Sequence, residues 1–197
     1  MSIKHSDREK SLGPISAASV PLRALPTVEL SSEQLRRVDA LAEARSDSYS
    51  PIDGGVLFGG QDSLTSHQIG LLGELAVAKF YGLSVDSDIY QYGDDGSDLV
   101  LHGWKMDVKT TATTALTKPE LLVRADKSRV QSDGLQSDIY VRAHVINWDE
   151  TGARIRIIGA ATREVVQNRE PQRHPGSTKN YVVTPRELSP LPALRTN

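Results

Sequence analysis

The chain has 197 residues, a formal net charge of −2 and no cysteine. That length suits one well-buried core with a small appendage, and the missing thiols exclude disulfides and thiolate metal sites. The five histidines are scattered, with no pair at metal-ligand spacing. No apolar run is long enough to cross a bilayer, and residues 1–10 are polar and charged rather than leader-like, so a soluble, cytoplasmic protein with no membrane partner is expected.

Charge is distributed unevenly. Lys and Arg number 7 against 9 acids over residues 1–64, 3 against 7 over 65–117, and 13 against 9 over 118–197. An acidic centre followed by a basic C-terminal part is the layout a metal-dependent enzyme acting on a polyanion needs, because basic side chains outside the site neutralise phosphates. A pI near 6.2 excludes tight nonspecific DNA binding by the whole surface, so affinity has to come from a local patch, a dimer or a partner.

Residues 1–29 are rich in Ser, Pro and charge without periodicity, and are expected as a flexible arm. A helix follows over 30–44, capped by Ser31 or Ser32, with Leu35, Val38, Leu41 and Ala42 as its apolar stripe. The glycine-rich stretch 46–64 reads as a loop; it lacks the lysine and hydroxyl of a nucleotide-binding loop, so a linker or lid is the expected role. The main domain is expected over 65–190, with 191–197 as a tail.

Residues 66–81 predict a helix. Thr65 and Gln68 have capping-box spacing, and Gly82 is the expected stop. At about 100° per residue, Gln68 and Lys79 mark a polar stripe, and Glu74 falls roughly 120–140° away from it, between Leu71, Ala78 and Tyr81. A carboxylate in an apolar sector either meets a metal, a lysine or water, becomes protonated, or snorkels from a helix edge to solvent.

Asp98 opens an apolar strand that ends at Leu101. His102, Gly103 and Trp104 supply a turn, and the return strand carries Asp107-Val108-Lys109. Strand alternation points Asp107 and Lys109 to one face and Val108 to the other, so the hairpin can gather two acids and a lysine. Carboxylates are suitable ligands for Mg²⁺, which takes one or two of them and keeps several waters. A neighbouring ammonium can orient the attacking water or neutralise charge building on a phosphate. Taken alone, an Asp-x-Lys pair on a strand is also an ordinary solvated pair. Asp94 and Asp95 compete for the first acid's role, but they precede Gly96 and read as turn residues. Thr110 and Thr111 follow the pair directly; their hydroxyls can bond phosphates, although β-propensity explains threonines equally well.

Strands are expected at 121–124, 138–146 and 154–159. Alternation places Ile155 and Ile157 inward, and Tyr140, Arg142 and His144 together on one face. If that face meets substrate, Arg142 is a phosphate contact; if it lies under other structure, Arg142 and His144 are buried and paired. A helix is expected over 160–169, then a basic, Pro- and Gly-broken loop over 169–179 whose Arg169, Arg173 and Lys179 are candidate phosphate contacts. A last strand at 180–183 and a helical turn at 185–188 complete the order.

A helix with Glu74, a strand with Asp98, a turn, and a strand reading Asp107-Val108-Lys109-Thr110 together resemble the PD-(D/E)XK nuclease superfamily, which includes restriction enzymes and Holliday junction resolvases. The likeness spans about residues 65–146. It implies an α/β fold with a restriction-endonuclease-like core, a central mixed sheet flanked by helices in the order helix, three strands, helix, strand. It also implies a catalytic set of Glu74, Asp98, Asp107 and Lys109, with Mg²⁺ or Mn²⁺ on Asp98, Asp107 and Glu74. The implied activity is phosphodiester hydrolysis, with DNA as partner and a homodimer or larger nuclease complex as the assembly; the alternative is an inactive nucleic-acid-binding subunit that retains the fold. Ser97 stands where the family's proline precedes the first acid.

Overall fold

A computed structural model describes residues 20–48, 63–83, 97–113, 118–125, 135–173 and 179–191. A 3₁₀ turn at Leu22–Ala24 leads into β1 (Thr27–Ser31), then α1 (Ser32–Ser48) and α2 (Ser63–Phe80). The hairpin of β2 (Leu99–Leu101) and β3 (Trp104–Ala112) follows, then β4 (Leu121–Arg124), β5 (Ile139–Asp149) and β6 (Gly152–Thr162). The described chain closes with α3 (Arg163–Gln167), β7 (Gln172–Arg173) and β8 (Lys179–Val183).

The architecture is α/β. A mixed five-stranded sheet has the order β1-β6-β5-β3-β2, with β3 parallel to β5 and every other pair antiparallel. Its first face carries Leu99, Leu101, Met106, Val108, Ile139, Val141, Ile155 and Ile157 and packs under α1 and α2. On the second face, Tyr140, Ile158 and Ala161 meet Leu121, Val123, Leu135, Val166, Val183 and Leu188. These come largely from α3 and a small sheet of order β4-β8-β7. The expected sheet flanked by helices is therefore corrected on that side, where a second sheet forms most of the covering layer. The helix expected between the third and fourth strands would fall between β4 and β5, where residues 126–134 lie outside the described residues.

Several element boundaries differ from expectation. The supposed flexible arm is structured from residue 20, and β1 pairs with β6 through Thr27↔Arg156 and Ser31↔Gly152. Only Leu30 of that strand is fully buried, and an edge strand with one inward side chain has no periodicity to read. The helix expected from Leu30 begins at Ser32, capped by Ser31: the Ser31 N–H donates to Gln34 Oε1 at 3.1 Å, and the Gln34 N–H donates to Ser31 Oγ at 3.4 Å. Residues 160–162, expected as helix, extend β6, and α3 is a five-residue helix capped by the Thr162 hydroxyl. Ile158 is an extra residue in the β5–β6 ladder, which lets consecutive Ile157 and Ile158 fill opposite cores and hides the strand's alternation.

Around α2 the signals were sound at one end. Gly82, at φ 69°, closes the helix: its N–H donates to the Lys79 carbonyl and the Leu83 N–H to the Ala78 carbonyl, both at 3.0 Å. At the other end α2 begins at Ser63, so Gln68 lies inside the helix and donates to Asp39 Oδ1 on α1 at 2.8 Å instead of completing a cap. The expected helical turn at 185–188 is a short turn, with Glu187 accepting from the Thr184 N–H at 3.0 Å and its hydroxyl at 2.9 Å. Most of the glycine-rich loop, residues 49–62, lies outside the described residues, as do Asp94, Asp95 and the tail from 192.

Candidate functional site

His102 and Gly103, at φ 50° and 83°, make the two-residue turn that joins β2 to β3. Two successive positive φ angles give a turn whose twist matches that of the strands, and Gly103 accepts the conformation without strain. Asp98 extends the hairpin by one rung, its N–H donating to the Met106 carbonyl at 2.9 Å. β2 then ends, and the Val108 N–H of β3 has no strand partner among the described residues. Asp98 Oδ2 accepts it at 2.6 Å, so the acid is held by the backbone it caps.

Asp107 and Lys109 share a face, as alternation requires, and Lys109 Nζ meets Asp107 Oδ1 at 2.5 Å. Met106 and Val108 point oppositely, into the layer beneath α2. α2 is buried throughout Leu71–Ala78, and Glu74 within it is only 5% exposed, which excludes the snorkelling alternative. The helix lies close to β3 because Gly73 leaves room: a Cβ there would stand 1.8 Å from Thr110 Oγ1. Glu74 thus comes from the helical layer and the Asp107–Lys109 pair from the other face. Asp98, at the end of β2, feels both.

Its ionisation shows this. Burial, then the negative charges of Glu74 and Asp107, push the Asp98 carboxyl up to about 8, against the opposing pull of Lys109 and the Val108 N–H. For Lys109, burial disfavours the ammonium, but Asp107 and Asp98 more than offset it, and the proton is held more tightly than usual. Lys109 is therefore a fixed positive charge rather than a ready base.

Ladder register brings further side chains to the pair. β3 and β5 align Asp107 with Tyr140 and Lys109 with Arg142. The Tyr140 hydroxyl accepts the Ser137 N–H at 3.3 Å and is raised in pKa, by burial first and also by Asp107. Arg142 is buried, donates from Nη1 to the Lys109 carbonyl at 3.0 Å, and is lowered to about 10 by burial alone. The sequence placed Tyr140 on the Arg142 face but could not bring it to Asp107, because the β3–β5 register is a long-range choice. Asp138 fixes that register: its N–H donates to the Lys105 carbonyl at 2.8 Å, its Oδ2 accepts the Lys105 N–H at 3.0 Å, and Arg163 Nη2 meets its Oδ1 at 3.0 Å.

The remaining candidates do not converge with these residues. Thr110 turns its hydroxyl into the α2 contact, where it is buried without a partner among the described residues, so it is corrected from phosphate contact to packing residue. Thr111 stays half-buried on the Lys109 face, opposite His144. Arg169 is paired with Glu187, which removes it as a free phosphate contact. Arg173 and Lys179 are exposed and face each other across β7–β8, so part of the expected loop is a hairpin of the second sheet.

A donor set of hard oxygens from Asp98, Asp107 and Glu74, with no sulfur available, fits Mg²⁺ or Mn²⁺ better than a softer ion. Among the described residues no three His, Asp or Glu side chains are grouped closely enough to hold a metal, and since Mg²⁺ takes one or two protein carboxylates, Asp98 and Asp107 are the candidates left. Comparison with protein-family models, with curated proteins and with solved structures found no match. The reading of the site rests on its own residues.

Proposed function

We propose that the chain is a Mg²⁺- or Mn²⁺-dependent nuclease of the PD-(D/E)XK type, hydrolysing phosphodiester bonds in DNA, as an endonuclease rather than an exonuclease. One observation carries this reading. Asp98 stands at one edge of the sheet between Glu74 on one side and the Asp107–Lys109 pair on the other, and burial together with the two neighbouring acids pushes its carboxyl up to about 8. Such crowding opposes folding unless a cation relieves it.

Asp98 and Asp107 would hold the metal, with Glu74 beside Asp98. When bound, the metal supplies an activated water and neutralises charge on the phosphate. The Val108 N–H keeps Asp98 in place, and Asp107 orients Lys109. The Lys109 ammonium, held protonated by its acids, stabilises charge developing on the attacked phosphate or orients the water. Cutting both strands with one such site per chain calls for two copies.

The test is incubation with supercoiled, linear, nicked, branched and single-stranded DNA in Mg²⁺, in Mn²⁺ and in chelator. Metal-dependent cleavage by the wild type, lost in Asp107→Asn, supports the reading; cleavage by Asp107→Asn at the wild-type rate rejects it.

A second reading is a noncatalytic nucleic-acid-binding subunit. It is favoured by Lys109 already occupying Asp107 Oδ1 and by Glu74 lying in the helical layer. Calorimetry with Mg²⁺, Mn²⁺ and Ca²⁺, with and without DNA, separates the two, because the binding subunit takes up no metal at this site.

A further inference from the structure

The second face of the large sheet carries a row of basic side chains that the proposed hydrolysis leaves largely unused. Ladder register defines it: Lys109 stands beside Arg142, Thr111 beside His144, and His144 opposite Arg156. Side chains paired across a ladder share a face, and adjacent strands are about 4.8 Å apart, so the groups form a continuous band across β3, β5 and β6.

This row is short of partners. Among the described residues, five buried side-chain polar atoms lack a hydrogen bond, and three of them are here: Arg142 Nε, His144 Nδ1 and Arg156 Nε. Arg142 is 7% exposed and His144 2% exposed. Arg142 donates to the Lys109 carbonyl and His144 Nε2 lies 2.8 Å from the Thr113 carbonyl, but neither residue nor Arg156 pairs with a carboxylate among the described residues. Asp107 is the acid nearest the row by register, and it is engaged by Lys109. Two guanidinium groups with unmet Nε–H donors, beside an imidazole whose Nδ1 also lacks a partner among the described residues, are a poor structural choice, because buried polar groups are normally satisfied. They are a good anion site. A guanidinium presents a planar fork that matches phosphate oxygens, and the half-buried Lys109 and Arg156 lie at the two ends of the row.

We propose that Arg142, His144 and Arg156, with Lys109 at one end, form an oxyanion site that takes a phosphate group. The phosphate is that of a polynucleotide backbone next to the bond being cut, or free phosphate of the same chemistry. Only the first source rests on the nuclease reading.

Thermal unfolding is measured with inorganic phosphate, sulfate, a short single-stranded oligonucleotide, and chloride at matched ionic strength. The proteins are the wild type, Arg142→Gln, Arg156→Gln and Asp107→Asn. Phosphate at about ten times its dissociation constant raises the wild-type midpoint by roughly 3 °C over chloride. Arg156→Gln, at a half-buried position that tolerates the change, weakens phosphate about tenfold or more, and Arg142→Gln does the same where it folds. Asp107→Asn, which withdraws a metal ligand but frees Lys109 from its ion pair, responds to phosphate at least as strongly as the wild type, which separates this site from the metal site even if no cleavage is ever seen. A shift with the oligonucleotide as well as phosphate assigns the backbone as ligand; a shift with phosphate alone assigns the free ion. Equal midpoints in phosphate, sulfate, oligonucleotide and chloride for the wild type overturn the proposal, as does an undiminished phosphate shift in Arg156→Gln.

Discussion

Asp98 is the residue on which the site's electrostatics converge, and its pH behaviour is the sharpest signature. Its folded-state value of about 8 lies above the ordinary 3.8, so the native state holds the proton more tightly than the unfolded chain. The stability this contributes is fully present below about pH 4 and is lost as pH rises through about 8. Metal-free Asp98→Asn should therefore be more stable than wild type at pH 8, with the advantage shrinking towards pH 4, as read from thermal midpoints across that range. A constant difference across the range would mean that Asp98 is not perturbed. At Lys109, replacement by Ala should abolish cleavage while metal affinity changes little, since an ammonium has no lone pair to give a cation. Single-turnover kinetics and calorimetry on the same variant check both halves. Asp107 and Lys109 were legible at this scale because alternation on a strand is local; the pairing of Asp98 with the Val108 N–H was not, since it depends on β2 stopping one rung short.

At the scale of elements, α2 and β3 are held together by one missing side chain. Gly73 faces Thr110 so closely that Gly73→Ala should cost roughly 1–3 kcal/mol through overpacking, measured by denaturant unfolding. Because Glu74 is the next residue, the same change should lower cleavage in the folded fraction. Thr110→Ala should be close to neutral for stability, as its hydroxyl is buried without a partner, and in the double variant it should recover part of the loss. A Gly73→Ala protein as stable as wild type would mean that α2 is free to move. The sequence marked α2 by its apolar run and by Gly82, yet held no hint of the Gly73–Thr110 approach, because glycine in a helix has no periodic signature. α3 shows the opposite limit: residues 160–162 read as helix locally, and pairing with β5 made them strand.

At the scale of the whole molecule, two layers meet the large sheet on its two faces, and charge follows them. The acids lie at the β2 edge, the basic row on the second face, and exposed Arg173 and Lys179 on the small sheet. Neutralising Arg173 and Lys179 together should flatten the salt dependence of duplex binding, by about 0.9 in log–log slope for each phosphate that is no longer neutralised. Arg169→Gln should leave that slope unchanged, since Glu187 already holds the guanidinium. An equal effect of Arg169→Gln would show that the ion pair opens on DNA. By itself the sequence determined the α/β class, the strands at β3, β4 and β8, the Asp107–Lys109 pair and the apolar setting of Glu74, since each follows from alternation, helical period or a turn residue within a few positions. Only the tertiary structure decided that a second sheet covers the far face, that Thr110 packs rather than binds, and that Tyr140 and Arg142 stand beside the acid–lysine pair. Those outcomes are set by register between strands far apart in the chain, and local pattern carries no information about which distant edge a strand will pair with.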